Sequence, residues 1–315
     1  MTTLRHVVSV SLGSSRRNHR VIMEWDGQML VIERIGTDGD VRRAMAAIRE
    51  WDGRAAAIGL GGIDRYLYVG GRRYVFRQAE RLARLAHNTP VVDGSGLKHT
   101  LERRVVRQLA EDPQVALRRK NVLLVSAVDR FGMAETLVAE GCRVTFGDLM
   151  FGLGIPVPLH SLQTLNRMGH VLGPVVTQLP IHWLYPTGQR QEQIRPKYRR
   201  VYRRADVIAG DFHYIRRHLP ERLEGVWILT NTVTREDEQL LRRRGAGGLI
   251  TTTPEWEGRS FGTNVLEAVF VALAGEPPAL LGSGRNLYPD ESFYHYWLER
   301  LGVRPRITCW GAGVD

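Results

Sequence analysis

Cysteine is almost absent: Cys142 and Cys309 are the only two among 315 residues. Two thiols are too few for a disulfide framework or a four-cysteine zinc site, so both are expected to be small apolar fillers. Lysine is just as scarce. Of 44 basic residues only Lys98, Lys120 and Lys197 are lysines, and the rest are arginines. No run of eighteen apolar residues occurs, so no membrane span is expected. The first residues run straight into the strand-like stretch Val7 to Leu12. They lack the basic start, apolar stretch and cleavage site of a secretory signal, so a cytoplasmic location is expected. The ten histidines show no metal-ligand spacing such as HExxH, and neither a GxSxG elbow nor a Walker loop is present. No metal is expected, and the nearby Asp211 and His213 are explained more simply by a hydrogen bond than by a shared ion.

What is present argues for an enzyme-sized α/β protein. A chain of this length with 43% apolar residues can bury a sizeable core and favours two domains over one. A net charge of +11 raises nucleic acid as a partner, but the charge is spread along the chain. The one dense run, Arg190 to Arg204 with Tyr198 and Tyr202 interleaved, reads first as a solvated helix face. A small-molecule substrate is therefore expected as the partner, and nucleic acid is not. A homo-oligomer is left open.

Strand and helix signals alternate throughout. Val7 to Leu12 is a strand, and a hairpin follows in which Arg20 to Trp25 and Met29 to Ile35 flank Asp26-Gly27. Thr37 to Asp40 caps a helix through Glu50, with Val41, Ala44, Met45 and Ile48 at helical spacing. A buried strand, Ala55 to Leu60, leads into Gly61-Gly62-Ile63-Asp64. A second hairpin spans Tyr66 to Phe76, a helix runs from Arg77 to Ala86, and the strand Thr89 to Val92 ends in Asp93-Gly94-Ser95-Gly96. After a helix through Leu97 to Leu109, the strand Asn121 to Ser126, the helix Phe131 to Glu140 and the strand Arg143 to Phe146 form a β-α-β unit. Strands at Val207–Ala209, Val226–Thr230 and Gly248–Thr251 continue a parallel sheet covered on both faces.

In open parallel sheets ligands bind beyond the carboxyl ends of the strands. Those ends are polar and small here, at Ser126 to Asp129, Gly147-Asp148, Gly210 to His213, Thr230 to Thr234 and Thr251 to Pro254. Helix capping explains each alone, and together they predict a ligand cleft. Asp148 lies where a dinucleotide fold has the acid that binds ribose. The turn before it, Ser126 to Gly132, has only one late glycine. Val128 and Phe131 crowd a pyrophosphate there, and Asp129 repels one unless Arg130 offsets it, so a β-α-β unit without a dinucleotide remains an equal alternative. The polar turn Arg259 to Val265 at a helix start is a second candidate anion or cofactor site.

The Ser-rich turn Ser11 to His19, the stretch Thr89 to Gly96 and the β-α-β unit from Asn121 together resemble the quinate/shikimate 5-dehydrogenase family. The resemblance covers roughly the first 150 residues, and Gly258 to Val265 looks peculiar to a smaller group labelled quinate 5-dehydrogenase. Where the family has a GAGG turn, this sequence has Ser126-Ala127-Val128-Asp129, and no lysine precedes Lys98. The resemblance implies that Asp93 orients substrate hydroxyls beside a lysine, with Lys98 the candidate for proton transfer. It further implies that Ser11 and Ser14 hold a carboxylate or ring hydroxyls, and that NAD is the cofactor.

The expectation is an α/β protein of two domains. Residues 1–115 form a substrate-type domain, and residues 116–315 form a Rossmann-like, mostly parallel sheet with helices on both faces. An NAD-dependent oxidoreductase acting on a small polyhydroxylated acid such as quinate or shikimate is the leading function. A non-catalytic small-ligand or nucleotide-binding protein on the same scaffold is the alternative. Ser11, Ser14, Asp64, Asn231 and Thr232 are assigned to the substrate. Ser126, Asp129, Arg130, Asp148, Thr252, Arg259, Ser260 and Asn264 are assigned to the cofactor.

Overall fold

Two open sheets carry the chain. The computed structural model describes residues 4–25, 27–180, 194–256, 259–275, 280–281 and 288–310. The first sheet has strand β1 (Arg5–Ser11), the hairpin β2 (His19–Trp25) and β3 (Gln28–Gly36), then β4 (Ala57–Gly61) and β7 (Val91–Val92), in the order β2-β3-β1-β4-β7. Only β2 is antiparallel to its neighbour. Helix α1 (Val41–Trp51) starts at Asp40, whose carboxylate accepts from the Arg42 and Arg43 amides. The β5 (Tyr66–Val69) and β6 (Arg72–Val75) hairpin turns at Gly70-Gly71, both at positive φ. Helix α2 (Arg77–Ala83) precedes β7, and the long helix α3 (Ser95–Glu111) leads to the second sheet.

That sheet contains β8 (Asn121–Leu124), β9 (Arg143–Phe146), β10 (Val207–Ala209), β11 (Trp227–Thr230), β12 (Gly248–Thr251) and β17 (Arg306–Cys309). Its order is β17-β12-β11-β10-β8-β9, and all strands are parallel except β17. Its neighbours in sequence are α4 (Phe131–Ala139), α5 (Asp148–Phe151), α6 (Leu162–Val176), α7 (Arg199–Arg203), α8 (Phe212–Arg217) and α9 (Arg235–Arg243). The strand residues Val122, Leu124, Val207, Ala209, Leu229 and Ile250 pack with α3 and α4. The alternate residues Leu123, Ile208, Ile228 and Leu249 pack with Tyr202, Phe212, Ile215 and Leu241 on the other face. Burial on both faces explains why these strands read as continuous apolar runs. The small pairs β13 (Glu255–Trp256) with β14 (Arg259–Ser260), and β15 (Leu280–Leu281) with β16 (Tyr288–Pro289), complete the strands.

Helix α10 (Thr263–Ala274) comes from the second half of the chain but packs on β4 and β1 of the first sheet. A division near residue 115 leaves this helix on the opposite side from the sheet that it buries. One apolar core accordingly runs from the first sheet through α3 and α10 to the second. Helix α11 (Glu291–Arg300) and β17 lie beyond the elements expected from periodicity. Tyr294 and Trp297 of α11 are buried in the core, and β17 covers an edge of the sheet. Cys142 is buried and donates to the Leu117 carbonyl at 3.3 Å, as a filler would, whereas Cys309 is exposed on β17.

The glycines near the strand ends answer to packing. A Cβ on Gly59 would lie 2.6 Å from the Asn264 carbonyl oxygen, and one on Gly94 would lie 2.3 Å from the Asn264 nitrogen. The DGSG turn thus provides the seat for the start of α10, and Gly94 also holds φ +83°. Gly141 has φ +79° with no neighbouring atom within 4 Å. Gly141→Ala should therefore cost about 1–2 kcal/mol from backbone strain alone, and Gly94→Ala about 2–4 kcal/mol from strain plus overpacking. Urea denaturation midpoints check this, and equal losses would refute the seating role of Gly94.

Candidate functional site

Both sheets reverse their winding at one point, β1 against β4 in the first and β8 against β10 in the second. Ligands collect at such switch points, and here the two open into one cleft of about 840 Å³. Ser11 and Asp64 line it from the first sheet, and Asp129, Arg130, Asp211 and the Thr230 to Thr234 loop from the second.

Lys98 of α3 stands between the walls. Its Nζ donates to Asp64 Oδ2 at 2.7 Å and to Asp129 Oδ1 at 3.0 Å, and the side chains of Lys98, Asp64 and Asp129 are 9%, 22% and 25% exposed. Burial drives Asp64 well above the carboxylate range. The Lys98 ammonium, with Arg130, overcomes the same burial at Asp129 and holds it down at about 2. Asp64 is thus the more readily protonated of the pair and Asp129 the more readily ionised. One helical turn along α3, Glu102 receives Arg130 in a fully buried ion pair. Arg130 also donates to Asn231 Oδ1 at 2.8 Å and lies 3.7 Å from Asp211.

The other expected substrate residues lie on this cleft as well. Ser11 Oγ accepts from Arg34 at 2.9 Å and from the Gly13 amide at 3.1 Å. Ser14 Oγ accepts from the Arg16 amide, and Thr232 lines the opposite wall. Asp93 forms part of the floor but is 5% exposed. Both of its oxygens are occupied, Oδ2 by the Arg65 amide at 2.5 Å and Oδ1 by the Ser95 hydroxyl at 3.0 Å. The acid beside the lysine is therefore Asp64, not Asp93.

The expected cofactor residues divide. Asp129, Arg130 and Asn264 line the cleft, and Asn264 also donates to Ser9 Oγ at 2.8 Å, pinning α10 to β1. Asp148 does not line it. Its Oδ1 accepts from the Val128 amide at 2.8 Å. Burial raises this carboxyl to about 6. That is a turn amide that a pyrophosphate would need, so the residue expected to bind ribose instead closes the turn. Ser126 Oγ accepts from the Asp211 amide, and Thr252, fully buried, donates to Asn231 at 3.1 Å. Both position neighbours from behind the cleft. The side chains of Arg259 and Ser260 lie outside the described residues, as do residues 190–193 of the basic run. Within that run Tyr198 and Tyr202 are structural, donating to the Met150 and Ile215 carbonyls. Asp211 caps α8 through the His213 amide, and no metal-holding cluster of His, Cys, Asp or Glu occurs among the described residues.

Two groups escaped the sequence reading. Arg34 lies in an apolar strand run and reaches the cleft beside Ser11. Glu267, a lone acid in the apolar helix α10, lies beneath Asp93, where it accepts from the Gly94 amide at 2.5 Å and from the Tyr294 hydroxyl. A charge inside an apolar run was the available signal for both.

A family model covers residues 96–310 of this chain. The chain belongs to the family described as Domain of unknown function (DUF8754). A second model, Domain of unknown function (DUF8753), matches residues 6–93, so the boundary between the two matches falls at the Asp93 turn. Lys98, Asp129 and Arg130 thus lie in the DUF8754 segment and Asp64 in the other. No curated protein matches the sequence. Among solved structures, an NAD-dependent malic enzyme from Thermotoga maritima is similar at 11% identity over 95% of this chain and 84% of that one, with a TM-score of 0.33. A galactofuranose binding protein is similar at 11% identity over 95% and 98%, with a TM-score of 0.35. A putative aspartate carbamoyltransferase from Trypanosoma cruzi is similar at 11% over 86% and 81%, with a TM-score of 0.30. Likeness at this level carries no chemistry to the DUF8754 chain.

Glu267 sets a pH dependence. Burial first, then the charge of Asp93, raises its carboxyl to about 8. The folded protein thus binds this proton more tightly than the unfolded chain does. The stabilisation is complete below about pH 4.5 and is lost as the pH rises towards 8. Glu267→Gln, which mimics the protonated acid, should match the wild type near pH 5. Near pH 8.5 it should be more stable by on the order of 3 kcal/mol. Urea titrations at the two pH values measure this, and a constant offset would remove Glu267 as the cause.

Proposed function

We propose that the protein binds a small polyhydroxylated acid in the cleft and performs acid–base chemistry on one of its hydroxyl or carbonyl oxygens. The observation that carries this reading is the buried Lys98 ammonium held between the carboxyls of Asp64, at 2.7 Å, and Asp129, at 3.0 Å. A substrate oxygen placed against Lys98 receives a hydrogen bond from Nζ. Asp129 accepts the hydroxyl proton in one direction and returns it in the reverse, while Asp64 keeps Lys98 in place. The Ser11 and Ser14 wall takes the acidic group. Quinate and shikimate, the substrates implied by the sequence resemblance, have this pattern of hydroxyls around one acid.

NAD-dependent oxidation is the finer form of this reading, and a bound dinucleotide would supply the hydride acceptor. The described residues do not fit one at the expected turn, because the buried Asp148 carboxyl already holds the Val128 amide. That observation favours the second reading, ligand binding without oxidation on the same scaffold.

Calorimetric titration of quinate and shikimate should detect binding, and Asp64→Asn should weaken it at least about tenfold through loss of the Lys98 ion pair. Unchanged affinity would remove Asp64 from the site. Parallel titration with NADH and NADPH separates the two readings. Micromolar binding of either supports the oxidoreductase, and binding of neither leaves the ligand-binding protein.

A further inference from the structure

The acid-binding wall of the cleft has a charge pattern that a simple hydroxy acid does not satisfy. Arg34 projects from β3 behind the loop that crosses the end of the first sheet, and among the described residues its guanidinium bonds only to neutral oxygens. Nη1 donates to the Ser14 carbonyl at 3.0 Å and Nη2 to Ser11 Oγ at 2.9 Å. Burial first, and then repulsion from Arg17, lowers it to about 10. Arg17 and Arg34 therefore share this end of the cleft, which Arg16 also lines. No carboxylate among the described residues hydrogen-bonds to either guanidinium. Asp38 accepts from the Ser15 amide at 2.7 Å and pairs with Arg43 at 3.5 Å, acting on Arg34 only through its charge, and the exposed Glu236 of the opposite wall acts on Arg17 in the same way. A carboxylate brings one negative charge to these two cations. A phosphate monoester brings nearly two, together with three acceptor oxygens for forked guanidinium donors and the Ser11 hydroxyl.

We propose that Ser11, Ser14, Arg17 and Arg34 form a subsite for a phosphate monoester dianion, so that the natural ligand is a phosphorylated polyol. The proposal rests on the cleft reading above for the polyol part, but not for the phosphate. The loop geometry supports it. The chain from Ser14 to Ser15 passes directly over Gly36, where a Cβ would lie 2.5 Å from the Ser14 carbonyl oxygen. Gly36 donates to Asn18 Oδ1 at 2.6 Å, which ties the loop down beside the arginines. The donors are thus held in place before a ligand arrives.

The test is calorimetric titration of the full chain with inorganic phosphate, glycerol 3-phosphate and glycerate. Both phosphates should bind, with glycerol 3-phosphate at least about tenfold tighter than glycerate. Arg34→Gln, and the surface change Arg17→Gln that leaves the core untouched, should each weaken both phosphates about tenfold. Affinity for glycerol 3-phosphate should fall as the pH drops through its second ionisation near about 6. Glycerate binding as tightly as glycerol 3-phosphate, or phosphate affinity indifferent to Arg17→Gln, would overturn the proposal. If inorganic phosphate binds through the arginines while glycerol 3-phosphate binds no better, the phosphate subsite stands and the polyol reading of the Lys98 centre fails.

Discussion

Taking an ammonium group out of water costs several kcal/mol unless opposite charges and hydrogen bonds replace the water. Lys98 meets that requirement with one carboxyl from each sheet, Asp64 beyond β4 and Asp129 beyond β8. The two switch points are therefore held together by a contact that neither sheet can make alone. A turn further along α3, Glu102 does the same for Arg130, which in turn orients Asn231 and approaches Asp211. The cleft is shaped by charges that must find one another once buried, and α3 is the rod on which both pairs are mounted.

The local pattern of this fold was open to reading because the strands bury both faces and the helices carry clear caps. The hairpins, the helix starting at Asp40, the strands of the second sheet and the polar strand ends lie where the spacing of apolar residues and turn signals puts them. Asp64, Asp129, Arg130 and Asn231 were visible as polar groups at those ends, and Lys98 entered through the family resemblance. What a residue type at a strand end cannot reveal is whether its oxygens face solvent or backbone. Asp93 is buried under the Arg65 amide, and Asp148 folds back onto its own turn. Both choices depend on the orientation of one side chain relative to amides outside its own element.

The contribution of α10 was equally hidden. Periodicity marks it as an apolar helix but says nothing of which sheet it covers. Its partner is the sheet formed from the first hundred residues, through contacts such as the Gln28 side chain to the Leu273 carbonyl and Asn264 to Ser9. Gly59 and Gly94 then read as a seat for that helix, although as sequence Gly59 belongs to a buried strand and Gly94 to the turn that the resemblance ties to substrate.

This arrangement bears on how the chain is made. The first sheet is fully synthesised once β7 has emerged, yet the helix that covers β1 and β4 ends only at Ala274. At the usual pace of synthesis, about 5–20 residues per second, its apolar face waits roughly ten to forty seconds for that cover. During that interval the nascent chain presents a finished but uncovered sheet, the kind of surface that chaperones hold, and the ribosome rather than the sheet sets the moment at which the first half becomes native.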